Sequence, residues 1–210
     1  MTKKQLHKKI DNFWYHYKMH VFISLLIILA VIPFVFTDRD EKSIAMNITL
    51  IGNDMDILEK ENFQSKVNTA ILKKSTKSEA KINSIAVKGS ITEIGNNIVN
   101  QKVLGQIGIK AIDVMIIDKN DFLHLAQQGA FIKLDDYPEL TKLLKNDAVV
   151  PVSLNNRDSE ESANFGIDIS GKKLLSKTKF DTQNKVIGIV SNTKNIGRSV
   201  EFLQWFIEQK

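Results

Sequence analysis

The sequence contains no cysteine among its 210 residues. This absence excludes disulfide bonds, a catalytic thiol and the lipidated cysteine that anchors a lipoprotein. The chain beyond residue 37 also has little net charge. Residues 1–37 hold five lysines against Asp11 alone, and this excess accounts for +4 of the chain's net charge of +5. The near-neutral remainder argues against a nucleic-acid partner.

One long apolar run is present, from Val21 to Phe36, "VFISLLIILAVIPFVF". At helical rise it extends about 24 Å, and Met19, His20 and Thr37 bring it closer to the roughly 30 Å of a bilayer core. A cleaved signal peptide would need a small-x-small site, whereas the run exits through bulky residues in "VIPFVFTDRD". A core helix of a soluble protein would need a polar face. We therefore predict a retained signal anchor.

Aromatic and basic residues precede this run and predict its orientation. "FWYHYK" places aromatic side chains at headgroup depth, and the lysines before it favour a cytoplasmic N-terminus by the positive-inside rule. The predicted membrane-interface residues are Trp14, Tyr15, Tyr17 and Lys18. The predicted organisation is a cytoplasmic basic and aromatic segment over 1–20, a transmembrane helix over 21–37, a linker over 38–43 and an extracytoplasmic α/β domain over 44–210.

Three strand-then-helix units follow the linker. The strands are "SIAMNITLIG", "KINSIAVKG" and "AIDVMIID". A helix over 56–74 follows the first strand, and its apolar stripe comprises Ile57, Leu58, Phe63, Val67, Ala70 and Ile71. A capping box, Ser90–Glu93, opens the second helix, and Gly129 ends the third, "NDFLHLAQQG". This repetition predicts a three-layer α/β domain with a mostly parallel sheet.

The second half of the domain is less regular. "FIKL" is predicted as a short strand, "YPELTKLLK" as a helix and "AVVPVSL" as an edge strand. Residues 155–164 are polar and predict an exposed loop. "NFGIDIS" and "KVIGIVSN" predict strands, and "IGRSVEFLQWFIEQ" predicts a terminal amphipathic helix.

Two stretches together resemble the type 2 extracellular solute-binding proteins. They are "DVMIIDKNDFLHLAQQGAFIKLDD" and "KVIGIVSNTKNIGRSVEFLQWFI", and they occur in the order that this family shows. The resemblance implies half of a type 2 periplasmic-binding fold. Only Tyr137–Lys185 separates the two stretches, which is too short for the family's second lobe. The resemblance therefore implies a reduced, single-lobed domain that lacks half of the usual ligand cleft.

Candidate ligand-binding residues follow from the position of the strand ends. In α/β folds ligands bind at the carboxyl ends of parallel strands. The residues there are Asn53, Asp54, Lys88, Ser90, Asp118, Lys119 and Asn120. The alternative is that these are ordinary polar loops, with Asp118 or Asn120 capping the following helix.

No catalytic residue, metal site or cofactor is predicted. His124 has a carboxylate at Asp121 on the same helical face, but a triad also requires a nucleophile and a metal site requires several convergent ligands. "DKND" lacks the spacing and the glycine of a calcium loop. A solvated histidine and a helix cap are the preferred interpretations.

These observations predict a non-enzymatic, membrane-anchored accessory or sensor subunit. It would act by protein–protein interaction with an integral-membrane partner, such as an ABC-type transporter. The alternative function is a tethered receptor for a small ligand, namely a sugar, a peptide or an amino acid. An extracellular hydrolase is disfavoured because neither a nucleophile nor a base is recognisable.

Overall fold

The computed structural model describes residues 3–36, 42–72, 77–155, 162–176 and 178–209. The chain divides into two compact units, Met1–Glu41 and Lys42–Lys210. Most of the predicted linker, and residues 156–161 of the predicted loop, lie outside the described residues.

The first unit contains one helix, α1 (Lys3–Phe36). Within it, Phe13–Ile32 is long and apolar enough to cross a membrane, which confirms an apolar helix near the N-terminus. Its 20 residues extend about 30 Å, so the aromatic segment adds the length that the run from Val21 lacks. The hydroxyl of Ser24 donates to the His20 carbonyl at 2.7 Å, which satisfies this polar group within the helix.

The second unit is built around a six-stranded sheet in the order β2-β1-β3-β6-β5-β4. The strands are β1 (Ser43–Gly52), β2 (Ser78–Ala86), β3 (Val114–Asp118), β4 (Val150–Asn155), β5 (Ser162–Asp168) and β6 (Lys185–Ile189). Strand β1 pairs in parallel with β2 and β3, as the three strand–helix units predicted. The pairings β3–β6, β6–β5 and β5–β4 are antiparallel, so the sheet as a whole is mixed.

Helices cover both faces of this sheet, which confirms the α/β class. They are α2 (Ile57–Ile71), α3 (Asn97–Gly108), α4 (Lys119–Gln127), α5 (Pro138–Leu144), α6 (Lys173–Ser176) and α7 (Ile196–Glu208). Buried side chains of α2, α5 and α7 pack on one face, and those of α3 and α4 pack on the other. Strand β3 is buried on both faces, because Val114 and Ile116 contribute to one cluster and Met115 and Ile117 to the other.

The start of α2 corrects part of the predicted apolar stripe. Phe63, Val67 and Ile71 are buried, but Ile57 is 70% exposed and Leu58 is 65% exposed. Both residues lie in the first helical turn after the Asp56 cap, before α2 reaches the sheet. The 3.6-residue period identified the stripe correctly but not the point at which it meets the core.

The second predicted helix begins later than the capping box. Glu93 does accept from the Ser90 amide at 3.1 Å, yet Ser90–Glu93 forms a turn. A 3₁₀ turn over Ile94–Asn96 then leads into α3. The Ser90 hydroxyl donates to the carboxylate of Asp121, and this long-range bond holds the segment as a loop.

Two shorter predictions also differ from the fold. "FIKL" makes only a single bridge, between Phe131 and Val190, before a 3₁₀ turn over Leu134–Asp136. Strand β5 begins at Ser162, inside the predicted loop, because Asp135 accepts from the Asn164 backbone and side-chain amides at 2.7 and 2.8 Å.

Candidate functional site

Five of the seven predicted ligand-binding residues lie where β1 and β3 end and β6 begins, namely Asn53, Asp54, Asp118, Lys119 and Asn120. Leu50 aligns with Ile116 in the parallel pair, and Asp118 lies opposite Lys185 in the antiparallel pair. The end of β1, at Gly52, is therefore beside the end of β3. We call this region the strand-end corner and define it as residues 52–54, 118–120 and 179–185.

Asp118 is fully engaged by neighbouring residues of the corner. It caps α4 by accepting from the Asn120 amide at 3.1 Å, which confirms the helix-cap interpretation. Its two oxygens accept from the Asn184 side-chain amide at 3.1 and 3.0 Å, and the Lys185 ammonium lies 3.9 Å from Oδ2. The carboxylate thus has an amide and a cation from the chain itself in the positions that a polar ligand would take.

Lys119 is likewise paired within the domain. Its ammonium lies 3.7 Å from a carboxylate oxygen of Asp168 at the end of β5. Its backbone amide donates to the Asn184 carbonyl at 2.9 Å. The amide bond holds the segment before β6 against the start of α4, and the ion pair joins the start of α4 to the end of β5.

Asn53 uses both ends of its side-chain amide to bind the same segment. Its Oδ1 accepts from the Asp181 amide at 2.8 Å, and its Nδ2 donates to the Lys179 carbonyl. The Lys179 amide in turn donates to Glu59 Oε2 of α2 at 2.9 Å. These bonds place residues 179–181 directly over the end of β1.

Gly52 shows how closely the corner is filled. A Cβ atom at this position would lie 3.2 Å from Lys185 Nζ and 3.3 Å from the Phe180 ring. Phe180 is buried, and the Lys185 side chain is only 12% exposed. The carboxyl ends of β1 and β3 are therefore covered by the chain's own residues 179–185.

Of the remaining candidates, Asp54 and Asn120 belong to the strand-end corner but are exposed, whereas Lys88 and Ser90 lie outside it. Asp54 is exposed and accepts from the Met55 amide at 2.9 Å, as a local turn residue does. Lys88 and Asn120 are exposed. Ser90 belongs to a separate hydrogen-bonded cluster around the buried carboxylate of Asp121. This carboxylate accepts from the Ser90 hydroxyl and from the Ile91 amide, the latter at 3.0 Å.

His124 is exposed, which agrees with the preferred interpretation of a solvated histidine. Asp121 binds the loop after β2, and His124 lies 2.9 Å from the side-chain amide nitrogen of Gln128. Within the described part of the chain, no three histidine or acidic side chains are placed to hold a metal ion.

A buried carboxylate at Asp113 is a feature that the sequence interpretation missed. Its oxygens accept from the Asn47 amide at 2.7 Å, from the Thr193 hydroxyl, and from the Asn195 side-chain amide at 3.2 and 3.3 Å. These bonds join β1, the start of β3 and the loop before α7. The signal was present in the two family-like stretches, because Asp113 opens one and "NTKN" lies in the other.

An exposed apolar surface lies at the start of α3 and on the 3₁₀ turn before it. Ile94 in the 3₁₀ turn is 90% exposed, and Ile98 in the first turn of α3 is 83% exposed. Gly105 lies on the same helical face as Ile98, and no side chain or neighbouring backbone approaches the position of its absent Cβ. We call Ile94, Ile98 and Gly105 the α3 surface. Only Val103 of α3 is fully buried, on the opposite side.

Comparisons with known proteins give one structural similarity. No protein-family model matches the chain, and no curated protein matches it. Among solved structures, the chain is similar to part of the N-glycan transport solute binding protein (NgtS) from Streptococcus pneumoniae in complex with Man1GlcNAc. The match has a TM-score of 0.31 and 19% identity, and it covers 54% of this chain and 25% of that chain.

Proposed function

We propose that this chain is a non-enzymatic, membrane-anchored extracytoplasmic accessory or sensor subunit that acts by protein–protein interaction in a membrane complex. The filled strand-end corner carries the proposal. Residues 179–185 cover the surface where α/β folds usually receive small ligands. A reduced, single-lobed relative of the solute-binding proteins would then have kept the fold and closed its half of the cleft.

The membrane part of the proposal rests on α1 and on charge. Lysines precede the apolar helix, and this asymmetry supports a cytoplasmic segment over 1–20 and a domain outside from about residue 44. Tyr15 and Tyr17 lie at the start of the apolar window and suit the headgroup region. In this arrangement α1 is a retained anchor.

The α3 surface is the region that we propose contacts the partner. Large apolar side chains that face solvent together mark interaction surfaces. Ile94 and Ile98 meet this description, whereas the strand-end corner presents charges that are already paired. An integral-membrane protein of an ABC-type transporter is the first partner to test.

Site-directed cross-linking in intact cells tests this proposal. Because the chain lacks cysteine, Ile98→Cys gives a single thiol that an impermeant reagent labels from outside if the predicted topology holds. A photo-cross-linker at residue 98 should capture one integral-membrane protein, and that protein should co-purify with the wild-type chain. Ile98→Glu should abolish the co-purification.

Ile57→Glu is the matched control, because Ile57 is also exposed but lies on the helix layer across the sheet. Recovery of the wild-type chain from membranes as a lone monomer, without any specific cross-link, would sink the proposal. So would equal effects of the two glutamate substitutions.

Thermal unfolding against sugars, peptides and amino acids separates the proposal from the small-ligand receptor. A ligand present at 100 times its Kd stabilises the protein by about 2.7 kcal/mol. We expect no such stabilisation. A saturable increase that Asn53→Ala or Asp118→Asn abolishes would favour the receptor instead.

A further inference from the structure

The end of the sheet opposite the strand-end corner, where β1 and β2 begin, is where the chain enters the domain. It contains the starts of β1 and β2, the end of α3 and the start of α7. We call it the entry edge and define it as residues 42–45, 77, 107–113 and 191–198. Ser43 binds the Lys77 carbonyl through its amide at 2.9 Å and its hydroxyl at 3.0 Å, so the two strands begin side by side.

Two further bonds join the other parts of this edge. The Arg198 guanidinium donates to the Ala45 carbonyl at 3.2 Å, which brings α7 to the start of β1. The Asn192 side-chain amide donates to the Ile107 carbonyl at 2.7 Å, which ties the loop before α7 to the end of α3. Cations from distant parts of the sequence are thereby gathered on one surface.

The exposed charged side chains of the entry edge are all cationic. Its exposed cations are Lys42, Lys77, Lys110, Lys194 and Arg198, and none of them forms an ion pair with another described residue. Lys110 lies in a left-handed turn with φ of 60°. The carboxylate of Asp113 is buried and satisfied by its own donors, which leaves Glu79 and Glu201 as the flanking acidic groups.

Apolar side chains are exposed among these cations. Ile109, directly before Lys110, is 77% exposed, and Ile44, the second residue of β1, is 49% exposed. Protein surfaces that lie on anionic bilayers combine cationic groups with protruding apolar side chains in this way. Such side chains enter the headgroup region while lysine and arginine remain with the phosphates.

If α1 is the membrane anchor proposed above, the short connection limits how far the entry edge can lie from the bilayer. Residues 37–42 alone separate Phe36 from Ser43, and even a fully extended chain of this length reaches only about 25 Å. Residues 37–41 carry a net charge of −2, so attraction to an anionic surface must come from the folded edge.

We propose that the entry edge binds the anionic phospholipid headgroups of the bilayer in which α1 is anchored. The domain then rests on the membrane with Ile109 and Lys110 at the headgroups, and the strand-end corner faces away. This inference rests on the membrane anchorage in the proposed function, and it adds the lipid class and the surface that binds it.

Fluorescence quenching on the reconstituted full chain tests the inference. A bimane label is attached at Ile109→Cys, or at Asn120→Cys of the strand-end corner as the control position. Vesicles contain phosphatidylcholine alone or with phosphatidylglycerol, together with a lipid that carries a nitroxide on its headgroup. With phosphatidylglycerol present, we expect quenching at residue 109 to exceed that at residue 120 at least threefold.

Charge reversal supplies the second part of the test. Lys110→Glu with Lys194→Glu should reduce quenching at residue 109 to the level at residue 120. Lys88→Glu with Lys102→Glu changes the net charge equally at exposed positions outside the entry edge and should leave quenching unchanged. Circular dichroism verifies that each variant is folded.

Three results would overturn the inference: equal quenching at the two positions, equal quenching with and without phosphatidylglycerol, or the same effect from both charge reversals. Flotation of the chain with the vesicles reports anchorage by α1 independently. A chain that floats but shows no selective quenching therefore disproves lipid binding by the entry edge and leaves the proposed anchorage intact.

Discussion

Replacement of Asp113 by alanine is expected to be among the most destabilising changes in the domain. The substitution leaves the Asn47 amide, the Thr193 hydroxyl and the Asn195 side-chain amide without their shared acceptor. A donor in the interior that loses its acceptor costs about 1–3 kcal/mol, and three donors lose a shared carboxylate acceptor in this variant. We expect a loss of roughly 3–5 kcal/mol, which is a large part of the roughly 5–15 kcal/mol that stabilises a domain.

The isosteric change Asp113→Asn separates the polar contribution from the loss of volume. Its amide nitrogen would face donors from one side, while its remaining oxygen still accepts, so we expect a smaller loss of about 1.5–3 kcal/mol. Urea unfolding followed by circular dichroism measures both variants. Hydrogen exchange of the Asn47 amide should accelerate in both, because this amide loses a carboxylate acceptor.

Asp54→Ala is the control, since this exposed carboxylate accepts one local backbone bond and should cost less than about 1 kcal/mol. A double-mutant cycle of Asp113→Ala with Thr193→Val should show a coupling of at least about 1 kcal/mol. A loss below about 1 kcal/mol for Asp113→Ala, or additive effects in the cycle, would show that these bonds do not hold β1, β3 and α7 together.

Three further changes are expected to have distinct effects. Gly166→Ala should destabilise the domain by about 1–3 kcal/mol in urea unfolding, because a Cβ at this position of β5 would lie 2.5 Å from Phe122 and 2.9 Å from a backbone oxygen; an unchanged free energy of unfolding would contradict this packing. Asn53→Ala should accelerate hydrogen exchange of the Asp181 amide without changing the exchange of β3, and unchanged exchange at Asp181 would show that another contact holds the segment. Burial lowers the pKa of Lys172, so the folded state binds this proton less tightly than the unfolded state. The wild type should therefore gain stability relative to Lys172→Met as pH rises towards the ordinary lysine pKa of about 10.4, and a constant difference between pH 7 and 10.5 would exclude this linkage.

Local pattern was sufficient for the first three strands and for the class of the fold. Strand β3 is a continuous apolar run buried on both faces, and Gly129 adopts a left-handed φ of 76° after α4, as its position predicted. The antiparallel half was not predictable in the same way. Strand β6 inserts between β3 and β5, and no local pattern encodes a pairing partner so distant in the sequence.

The position of the candidate site was predictable from the sequence, but its occupation by the chain's own side chains was not. The rule of strand ends located Asn53 and Asp118 correctly at one corner. That Asn184 and Lys185 occupy the same corner depends on the path of a segment more than 60 residues away, which no spacing reveals. Similarly, apolar residues occur on more than one side of α3, and only the burial of Val103 shows which side faces the core.

The late position of β6 in the sequence has a consequence for export. This strand is central in the sheet, yet it comes from the last part of the chain, after Asn184. In the extracytoplasmic location proposed above, β1–β3 and β4–β5 have no common neighbour, and the core on both faces is incomplete, until Lys185–Ile189 has crossed the membrane. The domain would then close its sheet only after β6 has been translocated.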